Sequence, residues 1–257
     1  MSAPSQEHSN GVRPGETSAF PGPLTVGRQR YLHPANTSPT CLLLIDTQRG
    51  LNTNNGFYGT DRSTPRLEDN ISSLLSAARS YNTSTELSPS VTFSAKDELF
   101  PAVQIIHVFH QSSNPESPLH ISGKAQKDGI LFMPCAQPNE ESEYETVFSK
   151  TLVSAFADGK VKEVLERMRI SQLVVAGIAT DHCVSTSVRW AKDLGVVKDD
   201  WNDRTKEGKI VIVSDATACF GKGGIDAETV QKVHLASLEG EFAKVMSTQE
   251  VLGDLFE

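Results

Sequence analysis

The sequence is poor in the features that announce several common protein classes. Its four cysteines, Cys41, Cys135, Cys183 and Cys219, show no Cys-x-x-Cys spacing, so neither a zinc ribbon nor a dithiol redox motif is written in it. No apolar run approaches the roughly 20 residues that span a bilayer, and the polar N-terminal region has no signal-peptide core, so no membrane partner is expected. Gly-x-Gly-x-x-Gly and Walker-type Gly-Lys-Ser/Thr sequences are missing, which removes the usual sequence warrants for nucleotide binding. Clustered Lys and Arg are missing too. With a net charge of −8 the chain offers no phosphate-binding surface, and nucleic acid is not an expected partner. These absences point to a soluble cytoplasmic protein with reduced thiols, in which 38% hydrophobic residues suffice for a core without disulfides.

What is present is an alternation of short apolar runs with helical patterns. Strand-like runs lie near residues 41–46, 103–109, 145–149, 173–177, 210–214 and 243–246. Helical spacing is found near 65–80, 161–168, 183–194 and 227–238. Such alternation predicts an α/β, three-layer Rossmann-like fold, with a six-stranded, mainly parallel sheet covered by helices on both faces. Residues 1–38 are rich in Ser, Pro, Gly and Asn and read as a flexible N-terminal arm, leaving 39–257 as one domain. The Ser/Thr-rich stretch 81–100 reads as a surface insertion, and Gly221-Lys222-Gly223-Gly224 as a flexible turn after the fifth strand.

The most informative segment is Ala176-Gly177-Ile178-Ala179-Thr180-Asp181-His182-Cys183-Val184, where an apolar strand gives way to a helix carrying Val184, Val188, Ala191 and Leu194 on one face. A cysteine at a helix start meets unpaired N–H groups and the positive end of the dipole, which favour thiolate. A nucleophilic thiol also needs a base and a group that orients it. Asp46, at the tip of the first strand, is a candidate base whose burial raises its pKa, and Lys150 closes the third. Each has an ordinary alternative: Cys183 as inert packing, Asp46 as a turn residue, Lys150 as a surface lysine.

Taken together, Leu44-Ile45-Asp46-Thr47-Gln48, Phe148-Ser149-Lys150 with Ser154-Ala155-Phe156, and Gly177-Ile178-Ala179-Thr180-Asp181-His182-Cys183-Val184 resemble the isochorismatase-like cysteine hydrolases, which include nicotinamidases, carbamoylsarcosine amidase and ureidoacrylate hydrolases. The resemblance runs in order from about Thr40 to Leu252, with Val213-Ser214-Asp215-Ala216-Thr217-Ala218 similar to the family's next strand and turn. It implies Asp46, Lys150 and Cys183 as a catalytic triad, a cis Ile178–Ala179 peptide, and a homo-oligomer. The implied reaction is hydrolysis of a C–N bond in a small amide or carbamoyl compound without a cofactor. Asp46 takes the Cys183 proton, Lys150 holds the charge, and the backbone N–H groups of Ala179 and Cys183 form the oxyanion hole. Gln48, Leu51, His110 and Asn114 are candidate substrate-binding residues.

The family's metal-binding members carry Asp-x-His after the second strand; here Ser112 and Asn114 stand in those places, so no metal site is expected. His107 and His110, three apart on a strand, face opposite sides, and His182 points away from its neighbour Cys183. The rival readings are a non-catalytic binding protein on this fold, vinyl-ether hydrolysis of the isochorismatase type, and a thiol-redox protein.

Overall fold

Strand β1 (Thr40–Ile45) is buried along its whole length, because it runs through the middle of a six-stranded sheet in the computed structural model, which describes residues 29–52, 57–86 and 102–257. A strand covered on both faces reads as a continuous apolar run, here Cys41-Leu42-Leu43-Leu44-Ile45. The sheet order is β3-β2-β1-β4-β5-β6, built from β2 (Gln104–His110), β3 (Glu145–Lys150), β4 (Gln172–Ile178), β5 (Lys209–Ala218) and β6 (Lys244–Met246). Every ladder is parallel, which sharpens the "mainly parallel" expectation.

Alternate side chains of β1 feed two separate cores. Leu42 and Leu44 pack with α1 (Leu67–Glu86) and α5 (Thr248–Phe256) on one face. Cys41, Leu43 and Ile45 pack with α2 (Lys160–Arg167) and α3 (Ser185–Asp193) on the other. A fifth helix, α4 (Ala227–Ala236), starts at Asp226, whose side chain accepts the Thr229 N–H as a cap.

Several boundaries differ from the expected ones for identifiable reasons. Helix α1 continues to Glu86 instead of ending near residue 80, so only the later part of the expected insertion is left, and 87–101 lie outside the described residues. Strand β5 runs on to Ala218 instead of stopping near 214, because a register shift opposite Val175 and Gly177 absorbs the polar Ser214-Asp215 and pairing resumes at Thr217. Helix α5, absent from the sequence reading, begins with a capping box in which Ser247 and Glu250 satisfy each other's backbone N–H groups. Of the expected arm, residues 1–28 lie outside the described residues, whereas Leu32 and Ala35 are core residues and the Asp254 carboxylate accepts the N–H groups of Tyr31 and Leu32.

No helix of the described residues is long and apolar enough to cross a membrane. The strand order reverses between β1 and β4, and in open parallel sheets the crevice at that switch point, at the carboxyl ends of the strands, is where ligands bind.

Candidate active site

Three of the singled-out residues arrive at that crevice from three strand ends. Asp46 follows β1 directly with a left-handed φ of 52°, a conformation that Asp tolerates better than most residues; its N–H donates to Val108 O at 2.8 Å. Lys150 is the last residue of β3 and the register partner of His110 at the end of β2. Cys183 lies in a five-residue π-helical turn, Thr180–Val184, that joins β4 to α3. The Ile178–Ala179 peptide just before this turn is cis.

The Lys150 ammonium is the hub. Nζ stands 2.8 Å from Asp46 Oδ2 and 3.2 Å from Cys183 Sγ, and it donates to Leu152 O at 3.2 Å. Its nitrogen also faces His110 Nδ1 at 3.5 Å. An ammonium only donates, so Nδ1 must be an acceptor and the imidazole neutral. Burial, helped by Lys150, lowers the His110 pKa in the same direction. Lys150 is thus a buried side chain rather than a surface one.

Burial raises the Asp46 pKa, against the lowering pull of Lys150 and the thiol. Its second oxygen, Oδ1, is buried with no well-aligned partner among the described residues, although the carboxylate is close enough to the thiol for each to shift the other. The Cys183 thiol is pushed up to about 12, first by burial and then by the Asp46 charge, with Lys150 opposing. Burial and the Asp46 charge thus oppose the thiolate that the helix start favours. A buried carboxylate oxygen beside a buried thiol is an arrangement in which a proton can pass between the two.

A cavity of about 220 Å³ opens onto the sulfur, small for a ligand pocket. Asp46, His110, Cys183 and Ala179 line it, so both residues expected to donate oxyanion N–H groups border the same space. Of the expected substrate-binding residues, Leu51 and His110 line the cavity, while Gln48 and Asn114 do not. Gln48 is fully buried behind it: its Nε2 donates to His110 O at 3.0 Å and Ile130 O at 2.9 Å, and its Oε1 accepts the His110 N–H at 2.8 Å. Asn114 is exposed, with its side-chain oxygen taken up by the Glu116 N–H in a loop turn.

The remaining walls are Tyr58, Leu119, Val153, Ile178 and Phe220, and the rim carries His182 and Lys222, which is ion-paired with Asp181. Tyr58, Leu119, Val153 and Phe220 carry no sequence signal as pocket residues, because they lie outside the periodic strand and helix patterns. For Lys222 a signal existed, since it sits in the loop after β5 at the sheet edge where function concentrates. His182 turns away from Cys183 toward Lys222, 3.4 Å from Nζ. On the far side of β2, His107 is buried against Glu145 at 3.0 Å. Among the described residues no three His, Cys, Asp or Glu side chains cluster as a metal would need.

These features define an α/β protein with a cysteine-centred crevice at its switch point. Residues 40–250 match the isochorismatase domain model, and the chain belongs to the isochorismatase family of hydrolases. It is similar to an uncharacterized isochorismatase family protein of Bacillus subtilis (29% identical over 158 residues, 60% of this chain and 74% of that one). It is also similar to a secreted isochorismatase effector of Verticillium dahliae (25% identical over 221 residues, 84% and 92%). Among solved structures, an isochorismatase-family hydrolase of Chromobacterium violaceum is similar at a TM-score of 0.66 and 25% identity, covering 91% of this chain and 98% of that one.

Proposed function

We propose that this chain is a cysteine-dependent hydrolase that cleaves the C–N bond of a small amide or carbamoyl compound through a thioester. The observation that carries the reading is the single ammonium of Lys150 bridging the Asp46 carboxylate and the Cys183 sulfur.

As the sulfur attacks the carbonyl carbon, its proton passes to Asp46 Oδ1, and the negative charge shifts from the carboxylate toward the substrate oxygen. Lys150 stays within reach of both partners, so no step leaves a buried charge unpaired. The oxyanion is met by the N–H groups of Ala179 and Cys183. Protonated Asp46 then gives its proton to the leaving nitrogen as the C–N bond breaks, releasing ammonia or an amine. Water, losing its proton to the same carboxylate, attacks the thioester; the acid departs and the thiol is restored. The residues alone balance this sequence, with no cofactor.

Vinyl-ether hydrolysis gains nothing from a sulfur so placed, which is why amide chemistry is preferred. The four free cysteines support a reducing, cytosolic location, and family resemblance supports a homo-oligomer. The test is turnover across a panel of amides, ureides and vinyl ethers with Cys183→Ala as the blank. Amide cleavage lost in the variant is expected; full activity in Cys183→Ala contradicts the reading.

A further inference from the structure

The cavity is electrically balanced from within. Six ionisable side chains among the described residues line it: Asp46, Tyr58, His110, His182, Cys183 and Lys222. Asp46 is compensated by Lys150. His110 accepts from Lys150, and His182, largely exposed on the rim, lies between the Lys222 ammonium at 3.4 Å and the Asp181 carboxylate at 3.7 Å. Tyr58 and Cys183 are held in their neutral forms by burial. What is left is Lys222, and its charge is cancelled by Asp181, whose side chain is only 5% exposed.

This pair is built into the backbone. The N–H groups of Lys222 and Ile225 each donate to the other residue's carbonyl at 3.0 Å, closing a tight turn over Gly223 and Gly224, both at positive φ. The Gly221 N–H is anchored to Asp61 O at 2.8 Å. The turn expected after the fifth strand thus carries its own hydrogen bonds and presents the lysine at the rim. Asp181 lies two residues from the sulfur in the π-helical turn, so the pair spans the rim from the Cys183 side to the β5 loop. The other walls, Leu51, Tyr58, Leu119, Val153, Ile178 and Phe220, are apolar or aromatic.

We propose that the Asp181–Lys222 pair sets substrate class, cancelling the rim cation so that the site takes uncharged amides with an apolar or aromatic substituent and disfavours amides bearing a carboxylate. This rests on the hydrolase reading and narrows it. A carboxylate entering the cavity would lose its hydration and find, among the described residues, no unpaired cation, only apolar walls and the already paired Asp46.

The test is a matched pair of chloroacetamides, N-benzyl and N-(carboxybenzyl), which alkylate sulfur with loss of chloride; rates at Cys183 are normalised to those with free glutathione. In the wild type the neutral reagent is expected to react roughly tenfold faster or more. Asp181→Asn leaves the Lys222 ammonium uncompensated and should speed the carboxylate reagent about tenfold relative to the neutral one. Should that variant fail to fold, Lys222→Met exposes Asp181 instead, and an aminomethylbenzyl reagent should gain over the neutral one. Equal rates or a preference for the carboxylate reagent in the wild type would overturn the assignment while leaving the hydrolase reading in place. Labelling of Cys183 by neither reagent would remove both.

Discussion

Lys150 reaches from β3 across the end of β2 to place Nζ 2.8 Å from Asp46 Oδ2 at the end of β1. The link joins strands that are not neighbours, and the register pairing of Lys150 with His110 is what sets its height above the sheet. Because Asp46 is buried, its carboxylate depends on this cation to stay ionised. Replacing Lys150 with Met should raise the Asp46 pKa further, moving the acid limb of the kcat/KM profile to higher pH. Rates should drop on the order of 100-fold. An unshifted acid limb would remove Lys150 from the site.

A less intuitive outcome is expected for Asp46→Asn. The Cys183 thiol is raised to about 12 by burial and then by the Asp46 charge, while Lys150 pulls the other way. Deleting the carboxylate charge therefore lowers the thiol pKa even as it removes the base. Ultraviolet titration of the thiolate should show the fall, and amide turnover should decrease about 10²–10⁴-fold. A thiol pKa that rises in this variant would contradict the electrostatics described.

Gly177 has no room for a side chain. Its φ is +128°, and a Cβ there would lie 2.0 Å from the carbonyl oxygen of Ile45, the residue before Asp46. Gly177→Ala should cost more than about 4 kcal/mol, measured by chemical denaturation, because two backbones would have to separate at the site itself. A near-neutral variant would mean that β1 and β4 are less closely joined than described.

Much of this architecture was legible in sequence, because buried parallel strands read as apolar runs and amphipathic helices as 3.6-residue spacing. The order of the elements and the meeting of Asp46, Lys150 and Cys183 followed from strand ends and from resemblance. Other features are set by long-range packing. Burial opposes the thiolate that the helix start favours at Cys183, and helix position is visible in sequence whereas burial is not. Gln48 looked like a pocket residue but became a buried brace for the His110 backbone. The polar Ser214-Asp215 disguised the second half of β5, and with it the reach of the chain to Phe220 and Lys222. Helix α5 could have been found, since Ser247-x-x-Glu250 ahead of Val251 and Leu255 is a capping-box signature.

Away from the site, Glu145 ties β3 to α1. Its buried carboxylate accepts from Arg79 Nε at 2.7 Å and pairs with His107 Nε2 at 3.0 Å. Burial alone would raise its pKa, but the hydrogen bonds from His107 and Arg79 prevail and bring it down from 4.5 to about 2. A depressed folded-state pKa stabilises the protein above the unfolded value, and the benefit is lost as pH falls from about 4.5 toward 2. Glu145→Gln should cost about 2 kcal/mol at pH 7 and flatten the stability curve across that acid window. A variant whose loss is the same at every pH would contradict the linkage.

The most direct test of the central claim is mass spectrometry of the protein acid-quenched during turnover of an amide substrate. The mechanism predicts an acyl group on Cys183, heavier than the free protein by the substrate minus its amine, formed in the wild type and absent in Cys183→Ala. Steady amide cleavage by the wild type with no acylated Cys183 under any quench time would contradict it.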